Sequence, residues 1–422
     1  MKPVHVPTTS VPAADKTPDH YHPLTNPDAV RHSHSVGELL LLNGHYEESI
    51  DHLIADLDRP NFARYMTLTN LGIAYRYIGC YQAANNAFAR ALMEHPESAA
   101  TWHNLSLLAT DMGELDAAFR AADNAYRLWP ENPSIRHSLG SALLREGRWK
   151  EGWPLWDSGR WCSPRTLGLT LPEWTLGQPL QGKRILILMD GGYGDTFLFL
   201  RYSKLLQEGG AHVTIVCPQS QLSLLYLHPY ANRWVSDDGT QLSQSDFDYF
   251  IPGMSLPAAF ASTPSTVPFP DAHLLVDFPD CHTAGATRIG ICWKAGEGAH
   301  TRKFRSYLPS QLDALRDLSG FEWQSLVPNA TLDWTHPLES RDWLETAAVI
   351  STLDLVISVD TAIGHLACLM GKPTHLLLHA GADWKWLRHR PTSVWWSSAR
   401  LWRSDTPDDF LTLPAQLARE LR

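Results

Sequence analysis

Long apolar runs are missing from this 422-residue chain. No stretch approaches the ~20 apolar residues that cross a bilayer, so no membrane span is expected. The first residues, MKPVHVPTTSVPAADKTPDH, lack the apolar centre of a signal peptide, and residues 1–34 read as a disordered tail. Cysteine is scarce. The six, at 80, 162, 217, 281, 292 and 368, lie far apart and form no CxxC pair. That argues against a disulfide framework or a zinc site and makes the cytoplasm the expected compartment. Basic blocks are absent too: 35 Lys and Arg stand against 45 Asp and Glu, a net charge of −10. Nucleic acid is therefore not the expected partner, although a local basic cleft can hold phosphate. Tryptophan is abundant, with seventeen residues, nine of them between 293 and 402. That half has unusual aromatic surface to bury or to offer a ligand.

The amino-terminal part repeats itself. NLGIAYRYIGCYQAANNAFARALMEHP (70–96) aligns with NLSLLATDMGELDAAFRAADNAYRLWP (104–130), and Asn70/Asn104, Gly79/Gly113, Ala83/Ala117, Ala84/Ala118, Ala91/Ala125 and Pro96/Pro130 all differ by 34. This is the tetratricopeptide period, with small residues where two helices meet and proline closing the unit. A further copy starts near Leu139-Gly140 and carries Gly147; an earlier one (39–60) fits with one residue of slippage. Residues 35–161 are thus expected to form a short solenoid of about four helical hairpins. Such arrays dimerise, cap a neighbouring domain or bind a protein, so a second copy of the chain and a protein acceptor both stay open as partners.

Beyond residue 161 the pattern changes. RILILMD (184–190), a glycine turn, a helix and AHVTIVC (211–217) begin a β-α-β alternation that FDYFIP continues, followed by a Pro-rich linker at 252–280. The alternation restarts with RIGICWK (288–294) and runs through FEWQSLV, RDWLETAAVISTL, DLVISV, TAIGHLACLM and THLLLH. The expected fold is α plus α/β: the solenoid, a Rossmann-like unit over 162–280, a second over 281–405, and a last helix at 406–422. Two such units in tandem make the GT-B arrangement, in which the last helix can cross back to the first unit.

Ligands in open α/β sheets sit beyond the carboxyl ends of the strands. Three strand ends carry polar chemistry. In DGGYGDTF, glycines including Gly194 allow a tight turn and Asp195 starts a helix, as a cap or as a reactive carboxylate. In WKAGEGAHTRKFRSYLP (293–309), Lys294, Arg302, Lys303 and Arg305 cluster among glycines, a pattern able to close on a diphosphate. Lys294 and Arg305 are the stronger candidates. In SVDTAIGHLACL, Asp360 is expected to cap the helix, with Thr361 and the first free N–H groups facing a phosphate. Ala362 and Gly364 permit close approach, and His365 can donate to a phosphate oxygen. The DFD at 246–248 reads as strand entry, not as a metal site.

The stretches GGYGDTFLFLRYSKLL, RKFRSYLP, DWLETAAVISTLDLVISVDTAIGHLACLMGKP and ADWKWLRHRPTSVWWSSARLWR resemble bacterial tetratricopeptide-repeat proteins fused to a heptosyltransferase-like, family 9-like glycosyltransferase. The architecture is similar to that of O-GlcNAc transferases. The resemblance implies an inverting, metal-independent enzyme with no cofactor besides its substrate, a nucleotide diphosphate sugar. It places Asp195 at a catalytic base, Asp360, Thr361 and His365 on a phosphate-binding motif, and the basic loop at 302–305 near a phosphate-contacting lysine. Tyr193, Thr196, Asp383 and Trp384 are further candidate donor or acceptor contacts. The chain also departs from the pattern. Gly191-Gly192-Tyr193-Gly194-Asp195-Thr196 replaces Gln-Gly-Leu-Gly-Asp-Thr, and Val327-Pro328 stand where a Gln is usual. Those departures motivate an alternative, a non-catalytic repeat scaffold on a nucleotide-binding body.

Overall fold

Four helical hairpins follow from the repeat. In a computed structural model that describes residues 35–59, 63–158, 169–238, 242–271, 274, 278, 286–296 and 305–422, α1 (Val36–Leu42) pairs with α2 (Tyr46–Asp56) and α3 (Arg64–Ile78) with α4 (Tyr81–Glu94). Next, α5 (Ala99–Asp111) pairs with α6 (Leu115–Leu128) and α7 (Pro133–Arg145) with α8 (Trp149–Ser158). Each hairpin turns on a glycine in left-handed backbone, Gly44, Gly79, Gly113 and Gly147, with φ of 79, 84, 78 and 77°, a conformation that a side chain would strain. The step from Gly44 to Gly79 is 35 residues and the later steps are 34, which accounts for the slippage. Inside the hairpins Ala84, Ala91, Ala118 and Ala125 are buried, and a Cβ on Gly72 would come within 2.5 Å of the Phe88 ring. The expected tail at 1–34, and Arg302 and Lys303 of the basic loop, lie outside the described residues.

The first α/β unit contains β1 (Arg184–Leu188), α9 (Tyr193–Phe199), α10 (Arg201–Glu208), β2 (His212–Cys217), α11 (Leu222–Leu225), β3 (Arg233–Ser236), β4 (Tyr249–Pro252) and α12 (Leu256–Ala259). Its sheet is parallel, in the order β3-β2-β1-β4. Ile185, Leu186 and Ile187 are fully buried, as expected of a parallel strand covered on both faces. Asp248 of the DFD stretch takes a hydrogen bond from the Arg184 amide at 2.8 Å, tying the start of β1 to the entry of β4.

The second unit contains β5 (Thr287–Cys292), α13 (Asp313–Arg316), β6 (Phe321–Ser325), α14 (Trp343–Ser351), β7 (Leu355–Val359), α15 (Ala362–Leu369), β8 (Thr374–Leu378) and β9 (Ala399–Arg403). Its parallel order is β6-β5-β7-β8-β9. The chain ends in α16 (Pro407–Phe410) and α17 (Leu413–Leu421). Helix α17 packs on α13, so this end stays on the second unit rather than crossing to the first. The strand order reverses at β1, which has β2 and β4 on its two sides, and at β5, between β6 and β7. Such switch points are where a crevice opens at the carboxyl ends of strands.

The array is welded to the α/β body. Trp149, Trp153 and Trp156 of α8 pack on Trp384 and Trp395 of the second unit, with ring centroids 5.3 Å apart for Trp149–Trp395 and 5.2 Å for Trp153–Trp384. Arg388 adds ion pairs to Asp116 (2.8 Å) and Glu146 (2.6 Å), and Arg145 donates to the Ala382 carbonyl at 3.2 Å. The two α/β units are joined by Arg201 of α10. It is 1% exposed, donates to the Trp395 carbonyl at 2.6 Å and lies 4.2 Å over the Trp396 ring. Among the described residues no helix is long and apolar enough to cross a membrane.

Candidate functional site between the two α/β units

The two switch points face each other. Helices α9 and α15 follow β1 and β7 and pack directly together. At their contact a Cβ on Gly194 would stand 2.7 Å from His365 Cδ2 and 3.4 Å from Ala362 Cα. Gly194 is therefore required for the approach of two helices, and Ala362 forms the other side of that contact.

Asp195 is not the N-cap residue of α9. The cap is Gly192, and Asp195 stands three residues on, where its Oδ2 accepts the Gly192 N–H at 2.9 Å. Its Oδ1 accepts from Lys385 Nζ at 2.8 Å, with side-chain exposures of 17% and 9%. Burial pushes the Asp195 pKa up. The Lys385 ammonium, its hydrogen bond and the Gly192 N–H outweigh that and hold the carboxylate below its ordinary value. Lys385 in turn is destabilised as a cation by burial, but Asp195, Asp383 and Asp360 more than compensate and raise its pKa. Asp383 sits 3.6 Å from the same ammonium and caps the turn at Trp384–Trp386 by accepting the Lys385 N–H at 3.1 Å.

Across the contact, the cap of α15 is Thr361 rather than Asp360. The Thr361 hydroxyl is within hydrogen-bond distance of Ser358 Oγ (3.0 Å) and close to Cys292 Sγ (3.5 Å). It is therefore engaged by β5 and β7 and leaves the helix amides to do any anion binding. Asp360 is 7% exposed and pairs at 3.9 Å with Arg305, whose Nη1 also donates to the Asp360 carbonyl at 3.4 Å. Burial raises the Asp360 pKa, and Lys385, Arg305 and His365 lower it further than burial raises it. His365 is 3% exposed, stacks on Trp386 at 5.1 Å, and accepts the Trp396 indole N–H on Nδ1 at 3.1 Å. Burial first, then the Lys385 charge, pulls its pKa down to about 4. A neutral imidazole that accepts on Nδ1 carries its proton on Nε2, and Nε2 points toward Asp360 Oδ1, 3.9 Å away.

The other candidates divide. Tyr193 is exposed, with its ring 5.5 Å from that of Trp343. Thr196 is buried beside Asp195, its hydroxyl without a hydrogen-bond partner. Lys294 follows β5, where its carbonyl lies 3.8 Å from Cys292 Sγ. Trp384, expected as a ligand contact, is 4% exposed and belongs to the tryptophan joint with the array; its indole is taken up by packing. Lys385, which sequence reasoning did not single out, joins the candidate site through its ion pairs with Asp195 and Asp383. Its signal was a lone cation between two tryptophans in DWKW, a setting that forces the charge to find a partner indoors. Among the described residues no group of three or more His, Cys, Asp or Glu is placed to hold a metal ion.

No protein-family profile matches the chain. Protein FlbA of Caulobacter vibrioides is 29% identical over 191 residues, which span 43% of this chain and 31% of FlbA. A mutant O-GlcNAc transferase from Thermobaculum terrenum aligns over 91% of this chain and 88% of its own, at 14% identity and a TM-score of 0.33. A family 9 glycosyl transferase from Veillonella parvula aligns over 58% of this chain and 90% of its own, at 11% identity and a TM-score of 0.40.

Proposed function

We propose that the chain is an inverting, metal-independent glycosyltransferase that moves a sugar from a nucleotide diphosphate sugar to an acceptor hydroxyl. The observation that carries this reading is the meeting of Asp195, at the switch point of the first unit, with the start of α15 in the second. The amides of the first turn of α15, the His365 Nε2–H and Arg305 offer a diphosphate both hydrogen bonds and positive potential. Asp195 approaches from the opposite unit. It takes the acceptor proton as the oxygen attacks the anomeric carbon and the diphosphate leaves with the bonding electrons; a single displacement inverts that carbon. A protein acceptor is our reading for the array. A groove of about 290 Å³ there is lined by Asn85, Trp102, Arg120 and Asn124, among others, whose amides and indole suit an extended peptide.

A second reading is favoured by one observation. Asp195 is buried and already ion-paired, as it would be in a non-catalytic scaffold that keeps a nucleotide-binding body. A panel of nucleotide sugars separates the two. The enzyme reading expects nucleoside diphosphate release and acceptor modification with at least one donor, undiminished by EDTA, with the product anomer opposite to the donor's by NMR. Binding without turnover across the panel would establish the scaffold instead.

A further inference from the structure

Lys385 ties the two units together at the point where the proposed chemistry takes place. Its ammonium belongs to the second unit and its hydrogen-bonded carboxylate, Asp195, to the first. Around it stand three acids, Asp195, Asp360 and Asp383, with Arg305 paired to Asp360 and the charge of Arg145 acting on Asp383. A diphosphate brings at least two more negative charges. Those carboxylates already engage the cations, so its entry is favoured when a cation turns to it or a carboxylate takes a proton. Arg305 is held by the Asp360 backbone. Lys385 is a point charge on a flexible stem, while the backbone that carries it is fixed. Trp395 donates to the Lys385 carbonyl at 2.8 Å, Arg403 donates to the Trp386 carbonyl, and Leu387 is held at φ 54° and ψ 172°, a region costly for a branched residue and met where structure enforces it. The stem can swing; its anchor cannot.

We propose that Lys385 is a positioning residue that exchanges partners: it is the counter-ion of Asp195, and a diphosphate seated before α15 competes for it and leaves Asp195 free to take up a proton. This rests on the donor site proposed above. Its consequence is timing. Paired with Lys385, Asp195 is a weak base. Once the ammonium turns to the diphosphate, burial of the carboxylate is no longer offset and its proton affinity rises. The acceptor proton then passes to Asp195 as the new C–O bond forms, and the charge left on the departing diphosphate meets Lys385.

Isothermal titration with inorganic pyrophosphate, then with uridine, adenosine and guanosine diphosphates, tests the exchange on the full chain without any need for turnover. Asp195→Asn keeps the size of the side chain but removes the competing charge. It should bind pyrophosphate roughly 10-fold tighter than the parent, the scale of one charge-assisted hydrogen bond that no longer has to be broken. Lys385→Met should bind it more weakly, and Asp195→Asn should have no further effect in that background. If diphosphates bind but Asp195→Asn leaves affinity unchanged or weakens it, the pair is a fixed clasp and the exchange is refuted while the donor site stands. If no diphosphate binds parent or variant, the donor site falls and the exchange with it. The Asp195→Asn comparison decides the matter even if Lys385→Met fails to fold.

Discussion

Replacing Gly194 with alanine sets two effects of opposite sign against each other. Gly194 lies in the first turn of α9, and alanine there gains helix propensity, at most about 1 kcal/mol. Against this, the new Cβ would stand 2.7 Å from His365 Cδ2, 3.5 Å from His365 Cγ and 3.4 Å from Ala362 Cα. Ordinary carbon contacts sit near 3.5–4.0 Å, so about 1 Å must be found. The ring cannot supply it, because His365 is held by the Trp396 indole and stacked on Trp386. Helices α9 and α15 must part instead, stretching the 2.8 Å Lys385–Asp195 bond. Overpacking of this kind costs about 1–3 kcal/mol. Subtracting the propensity gain leaves a net loss of about 1 kcal/mol, and up to about 2. Urea unfolding of Gly194→Ala against the parent measures it. Adding His365→Ala should relieve the clash, so the double variant should lose less than the sum of the single losses, by about 1 kcal/mol or more. A Gly194→Ala protein more stable than the parent would show that the helices are not in contact as described.

The remaining predictions concern chemistry, pH and the joint. Asp195→Asn should lower single-turnover transfer roughly 100- to 10,000-fold, the usual share of a general base, without loss of donor affinity; a rate within about threefold of the parent would leave Asp195 as a helix-end residue. Stability should fall as pH drops from 6.5 toward 4. His103, His228 and His365 are buried with pKa values pulled, chiefly by burial, from 6.5 to about 3, 4 and 4. In that window the unfolded chain binds protons that the fold refuses, so each group removes up to about 1.4 kcal/mol per pH unit. Denaturant midpoints flat from pH 7 to 5 would contradict this, and His103→Gln should shallow the slope. Trp153→Ala should cost about 3–5 kcal/mol and loosen the array from the body, visible as faster limited proteolysis than the parent's. Cleavage indistinguishable from the parent's would mean that the joint does not depend on this ring.

What the sequence disclosed and what it hid follow from the range of the interactions. The hairpins were legible because each is local: Gly79, Gly113 and Gly147 mark the turns, and the alanines between them mark where helices touch. The central strands of both sheets were legible because burial on two faces leaves an unbroken apolar run. Strands β3 (RWVS) and β9 (ARLWR) escaped notice. Each lies at a sheet edge, and its polar residues follow from one-sided exposure. At the site, the reactive-looking residues Asp195, Asp360 and His365 were found from their places after strands, and they do converge. Their exact duties were not legible. The N-cap is Gly192 rather than Asp195 and Thr361 rather than Asp360, because the N-cap is the residue whose extended backbone precedes the first helical turn, and Asp195 instead serves the Gly192 N–H from three residues inside. Lys385 was out of reach for a different reason: its partner lies 190 residues away, and nothing near it in the chain names that partner.

The tryptophan joint has an optical consequence. Trp149, Trp153, Trp156, Trp384 and Trp395 form a chain of ring contacts with centroids 5.2 to 6.2 Å apart. At such distances indoles exchange excitation faster than they emit, and their transitions couple. The joint therefore contributes a coupled component to the protein's near-ultraviolet dichroism and polarised emission, centred where α8 meets the second unit. A shift of the array against the body by a fraction of a ring width changes that coupling. The molecule thus carries a built-in, label-free gauge of whether its two halves move together, readable in the same cuvette in which a ligand is added.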